Sequence, residues 1–168
     1  MKKLEFRYFI FIYLMMFFAN GYAVQQAQSF KLDSYQQILQ QNKKQAFLMV
    51  LWSVECAPCM KELKILGEFH QKYPQHKLVL VSTDGKKQSD EISQLVTQYG
   101  LQTVDQWIFD DSFQYLRHSI DPNWYGELPR SYFYTQEHMR QATSGQLHAE
   151  QLIQFFSGNT KKSRLKTL

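Results

Sequence analysis

The two cysteines of this 168-residue chain, Cys56 and Cys59, stand with two residues between them in WSVECAPCMKE, Trp52 to Glu62. That spacing can serve as a metal clip, a structural staple or a redox reagent. As a staple the pair is nearly useless, because closing so short a loop removes almost no entropy from the unfolded chain. As a reagent it is well built. The apolar run AFLMVL precedes it and a helical pattern follows. Cys56 therefore falls at a helix start, where backbone N–H groups and the helix dipole stabilise a thiolate. Pro58 suits the first turn, which has no intrahelical donor to lose. Cys59, one turn on, faces the apolar side and should be less exposed. This asymmetry predicts a two-step exchange, in which Cys56 attacks a partner disulfide and Cys59 then resolves the mixed disulfide.

Two other readings compete. Counting on from Cys59, His70 and His76 complete a C-x2-C-x10-H-x5-H series close to a zinc-finger pattern. Finger histidines project from one helix, however, and Pro74 stands between these two. The other reading is a pair that is merely buried and inert, against which Pro58 at a strand–helix junction is unusual core packing.

The elements around the pair follow from periodicity. DSYQQILQQN, from Asp33, places Tyr35, Ile38 and Leu39 at helical spacing with Asp33 as cap. AFLMVLW (46–52) and KLVLVS (77–82) are continuous apolar runs of strand length, as expected of central strands covered on both faces. Between them Cys59, Leu63, Leu66 and Tyr73 share a helical face that Pro74 ends. SDEISQLVTQYG (89–100) reads as a helix with Ser89 at its start, acids in its first turn and Gly100 as stop. VDQWIF (104–109) is a third strand, followed by a polar-aromatic stretch that is partly helical at most. PRSYFYT (129–135) and RQAT (140–143) form a hairpin, and a last helix near GQLHAEQLIQFF buries Leu152 and Phe156 and stops at Gly158. Strand–helix–strand alternation followed by a hairpin and a helix implies an α/β fold with a mixed sheet. Cys56 then lies at the carboxyl edge of the first long strand, where ligands and chemistry gather in open α/β sheets.

The first 23 residues are set apart. MKKLEFR is a basic start, YFIFIYLMMFFA an apolar run short for a membrane span, and Gly21 and Ala23 are small. This is the layout of a secretory signal cleaved after Ala23, with retention as a membrane anchor the rival outcome. The expected organisation is a signal at 1–23, one domain at 24–158 and a basic flexible tail at 159–168. The tail, with KKSRLK, either touches anionic lipid or is a frayed, solvated end. The full chain carries 19 Lys and Arg against 15 Asp and Glu, a net charge of +4. Half of that excess sits in the signal, which leaves +2 on the rest, so the balance gives no reason to expect nucleic acid. Apolar residues make up 44% and aromatics 15%, which suits a packed core rather than disorder.

With these residues in view, WSVECAPCMKE resembles the active-site run W-x-x-x-C-x-P-C of the thioredoxin superfamily. It looks most like the exported TlpA-like and DsbE-like thiol–disulfide oxidoreductases, over roughly residues 30–157. A second anchor is GELPRSYFY, where Pro129 matches the family's cis-proline before a late strand. The resemblance implies a thioredoxin-like fold, a mixed central sheet flanked by helices on both faces. It makes Cys56 the nucleophile and Cys59 the resolver, and puts Trp52 beside the site and Pro129 against the cysteine pair. The backbone of Leu128 would pair with substrate as an added strand does. It also implies disulfide-containing exported proteins as substrates, a membrane electron donor or acceptor as partner, and no soluble cofactor or metal.

Two departures from the pattern matter. The buried acid that many thioredoxins carry six residues before the first cysteine is here Val50. A common tryptophan just before that cysteine is here Glu55, whose carboxylate either disfavours the Cys56 thiolate, making the couple more reducing, or is only a solvated loop charge. Asp84 either replaces the missing relay or is a turn-forming Asp before Gly85. Trp124 and Tyr125 either line a peptide groove or cover the sheet edge. The expected function is disulfide exchange with exported proteins, with the chain acting as reductant. The alternative is a non-catalytic thioredoxin-like binding module, a chaperone or a soft-metal handler using Met60 beside Cys59.

Overall fold

The computed structural model describes residues 26–165, with side chains to residue 158. The predicted signal, and the side chains of the predicted tail, lie outside the described residues. In chain order the elements are β1 (Gln28–Phe30), α1 (Ser34–Gln41), β2 (Phe47–Trp52), α2 (Ala57–Lys72) and β3 (Lys77–Gly85). A 3₁₀ turn (Lys86–Gln88) leads into α3 (Ser89–Gln98), β4 (Asp105–Phe109), α4 (Phe113–Ile120), β5 (Arg130–Tyr134), β6 (Arg140–Ser144) and α5 (Ala149–Leu165). The six strands form one sheet in the order β1-β4-β3-β2-β5-β6. The β1/β4, β4/β3 and β3/β2 pairs are parallel, and β2/β5 and β5/β6 are antiparallel. The mixed sheet expected from the element order is present.

Strand β2 shows why its sequence has no polar alternation. All six of its residues are buried. Leu48, Val50 and Trp52 face one core with Leu63, Leu66, Ile92, Val96, Leu152 and Phe156, so α2, α3 and α5 cover that side. Phe47, Met49 and Leu51 face a second core with Ile38, Leu116 and Ile120, so α1 and α4 cover the other. A strand with helices on both faces must be apolar at every position.

Several boundaries differ from the sequence reading. Strand β1 was not foreseen; three residues carry little periodic signal, and it exists by pairing with Trp107–Phe109 of β4. Asp33 does sit at the start of α1 but caps no backbone group; its carboxylate accepts from the Gln37 side chain at 2.7 Å. Ser89 opens α3 as expected, and a 3₁₀ turn already leads the chain in. Gly100 ends α3 as expected, with a φ of 72°. Gly158 does not end the last helix, which continues to Leu165. A helical glycine costs only about 1 kcal/mol relative to alanine, too little to stop a helix by itself.

Candidate active site

Cys56 ends the loop after β2 and caps α2 in an extended conformation (φ −91°, ψ 96°), its sulfur accepting the Cys59 N–H at 3.2 Å. Its carbonyl takes the Cys59 and Met60 N–H groups at 2.9 and 3.3 Å. Pro58 occupies the first turn, where no intrahelical donor is lost. The expected asymmetry is present: Cys56 is half-buried, Cys59 is fully buried, and Ala57 and Pro58 between them are exposed. The two sulfurs are joined as a disulfide with Cα atoms 5.2 Å apart. Trp52 is buried in the same core as Cys59, and Cys56, Met60, Val54 and Leu128 pack on that core from its partly exposed side.

The second anchor comes in from β5. Leu128–Pro129 is a cis peptide bond. In the antiparallel register Arg130 faces Leu51 and Ser131 faces Val50. The residues just before Arg130 are therefore level with the end of β2, where the chain turns toward Cys56.

Asp84 is held by the loop that leads to Cys56. Its carboxylate accepts from the Ser53 hydroxyl at 2.7 Å, the Val54 N–H at 2.9 Å and the Ser82 hydroxyl at 2.7 Å. The β3/β4 register shifts between Ser82 and Gly85, an irregularity of the kind that re-aims a side chain. Asp84 thus ties the tip of β3 to the loop that delivers Cys56. Glu55 is exposed, and its N–H donates to the Ser53 hydroxyl at 3.3 Å. The alternative of Trp124 and Tyr125 lining a groove together is corrected: Trp124 is fully buried, its Nε1 donating to the Glu127 carbonyl at 2.9 Å, whereas Tyr125 is 91% exposed.

The residue missed from sequence is Glu62. It lies one turn beyond Cys59 on the buried face of α2, 1% exposed, and accepts the Ser131 hydroxyl at 2.9 Å. Its Oε2 accepts no hydrogen bond. Burial pushes its carboxyl up from 4.5 to about 7, against partial lowering by the Ser131 hydroxyl and the Leu147 backbone. Ser131 pairs with Val50, so Glu62 supplies from the helix a buried acid beside the very position where the strand lacks one. The signal was available: Glu62 falls three residues after Cys59, on the face already assigned to the core.

The histidines of the zinc reading lie elsewhere in kind. His70 meets Thr103 at 3.0 Å, and His76 stacks on Phe156 with ring centres 4.4 Å apart. Among the described residues no group of three or more His, Cys, Asp or Glu side chains is placed to hold a metal ion.

The sheet order, the cysteine pair at the head of α2 and the cis-proline that leads into β5 define a thioredoxin-like fold. The secreted disulfide oxidoreductase of Mycobacterium tuberculosis homologous to Escherichia coli DsbE is similar at TM-score 0.58 and 14% identity, over 71% of this chain and 85% of that one. DsbF from the same organism is similar at TM-score 0.56 and 17% identity, over 71% and 84%. A thioredoxin-family thiol:disulfide interchange protein of Chlorobium tepidum is similar at TM-score 0.58 and 11% identity, over 72% and 83%. No curated protein matches the chain. Residues 15–104 match the family described as "TraF: F plasmid transfer operon protein". That is just over half of the sequence, and the chain belongs to the TraF family.

Proposed function

We propose that this protein is a thiol–disulfide oxidoreductase that exchanges disulfides with protein substrates through Cys56 and Cys59. The observation that carries the reading is the unequal pair, a partly exposed sulfur at the head of α2 with its partner buried one turn beneath. In the reduced protein the Cys56 thiolate attacks one sulfur of a substrate disulfide, forming the Cys56–substrate bond. The displaced substrate thiolate takes a proton from water. Cys59 then gives up its proton and attacks Cys56 Sγ, releasing the second substrate thiol and leaving the disulfide form. Two electrons pass from the pair to the substrate, and a reduced partner must return them.

Glu62 is suited to take the Cys59 proton, since a carboxyl that titrates near neutrality is a competent base there. Leu128 and Pro129 would dock the substrate chain, Trp52 and Pro58 would fix the site's walls, and Asp84 would hold the Cys56 loop. The reducing direction rests on the position of Glu55 one residue before Cys56, since a carboxylate near a sulfur disfavours its thiolate. The likeness to secreted enzymes and the basic–apolar start support action outside the cytoplasm, with a membrane partner as electron source. The family's description makes exported products of a transfer operon the first substrates to try.

Turnover of insulin disulfides tests the reading. The wild type is expected to reduce insulin with dithiothreitol as electron source, and Cys56→Ser to be inactive. A wild type that is inactive but binds Cu(I) would instead favour the binding module. A reduction potential as high as that of a strong oxidant would reverse the assigned direction.

A further inference from the structure

The connection that carries Leu128 and Pro129 is held by a half-buried charge cluster that the cysteine chemistry does not use; Asp121 is buried, whereas Glu127 lies at the surface. Its hub is Arg130, the first residue of β5, whose side chain is only 14% exposed. One terminal nitrogen donates to Glu127 Oε1 at 3.3 Å and to the Ser144 hydroxyl; the other donates to Asp121 Oδ2 at 3.2 Å. Asp121, at the end of α4, also accepts the Tyr132 hydroxyl and the Asn123 N–H, both at 3.1 Å, and lies 3.6 Å from Arg140. Glu127 in turn accepts the Ser144 hydroxyl at 2.6 Å. On the backbone side, the Gly145 N–H donates to the Pro129 carbonyl at 2.9 Å. Three chain segments, from the end of α4, the connection itself and the end of β6, thus converge on the residue after Pro129.

Stability alone is a poor reason for such a cluster. An ion pair to an exposed partner such as Glu127 adds little in water, and the buried Arg130–Asp121 pair recovers little beyond the cost of desolvating it. This cluster also leaves Arg130 Nε buried with no acceptor. What it does supply is geometry. A planar guanidinium reaches three partners in fixed directions, which a lysine cannot do.

We propose that Arg130 is a positioning residue, which orients the Leu128–Pro129 backbone so that an extended protein substrate can pair with it. The proposal rests on the oxidoreductase reading above, and the test separates the two. Reduced wild type, Arg130→Met and Arg130→Lys are compared on insulin and on dithiobis(nitrobenzoate), a small disulfide that needs no strand pairing, with circular dichroism as a check of folding. For Arg130→Met, kcat/KM on insulin is expected to fall by roughly ten-fold or more, mainly through KM, since small misplacements of binding groups are costly. The dithiobis(nitrobenzoate) rate should change much less, and the redox equilibrium with glutathione should stay put. Arg130→Lys should be intermediate. If Arg130→Met does not fold, Arg130→Lys and Ser144→Ala carry the comparison with the same ordering. Equal losses on both substrates, or folded variants with unchanged kcat/KM on insulin, would overturn the positioning role. A wild type that reacts with the small disulfide but never with insulin would sink the underlying reading instead.

Discussion

At the residue scale the site is a set of unequal environments within one helical turn. Cys56 has the helix start and partial exposure, Cys59 has the core, and Glu62 shares that core with one hydrogen bond and one bare oxygen. The folded chain holds the Glu62 proton up to about pH 7, whereas an unfolded chain releases it near 4.5. Folding therefore binds a proton between those values, and stability falls as pH rises through that window, then levels off. Below about pH 4.5 the carboxyl is neutral in both states and the penalty is absent. Glu62→Gln should accordingly be more stable than wild type at pH 8, by up to roughly 3 kcal/mol, and little different at pH 4. Urea unfolding at the two pH values measures this; a difference that does not change with pH would remove the buried-acid account.

The cysteines and Pro58 were legible because each answers a local demand, of helix start or first turn, whereas Trp52 and Pro129 owe their places in the reading to the family resemblance. Glu62 was not legible, because charged residues in a helix are read as its solvated face. Only its three-residue offset from Cys59 pointed inward. Asp84 was noticed for where it sits, but what it binds depends on the irregular end of β3. No short-range pattern in the sequence encodes that.

At the element scale, α2 is the part that must not move, since it carries Cys56, Cys59 and Glu62. Its packing is close enough to need a glycine. A Cβ on Gly67 would fall well inside contact distance of the Tyr99 carbonyl oxygen, at the end of α3. Alanine is the better helix former by about 1 kcal/mol, so on an exposed helix Gly→Ala would stabilise. Here the backbone of α3 cannot step aside, and Gly67→Ala should cost roughly 1–3 kcal/mol net. A thermal melt checks it: the midpoint should drop, and a rise would show that α2 and α3 are less tightly joined than described. Long elements with a strong apolar period, β2, β3, α2 and α3, could be read from sequence. The edge strand β1 could not, because its partners lie in β4, far along the chain, and no local pattern points to them.

At the scale of the whole molecule, one sheet separates two cores, and the redox pair belongs to only one of them. The face covered by α2, α3 and α5 holds Cys59 and Glu62, while the face covered by α1 and α4 carries none of the site's reacting groups. The Arg130 cluster, through Asp121 and Ser144, links α4 and β6 to the connection beside the site. The layered architecture was legible from the order of elements; the two-sided use of it appears only once the register assigns each β2 residue to a face. Among the described residues no helix is long and apolar enough to cross a membrane. Under the proposal that residues 1–23 are a cleaved signal, mass analysis of the protein recovered from cells should find it beginning at Val24; an intact start in the membrane fraction would favour retention as an anchor.

The most direct test is of which sulfur attacks. Reduced Cys59→Ser, mixed with insulin and analysed by intact mass under non-reducing conditions, should accumulate a stable adduct through Cys56, because the resolving thiol is gone. Cys56→Ser treated identically should form almost none. An adduct that forms equally on either cysteine, or on neither, would contradict an attacking Cys56 at the head of α2.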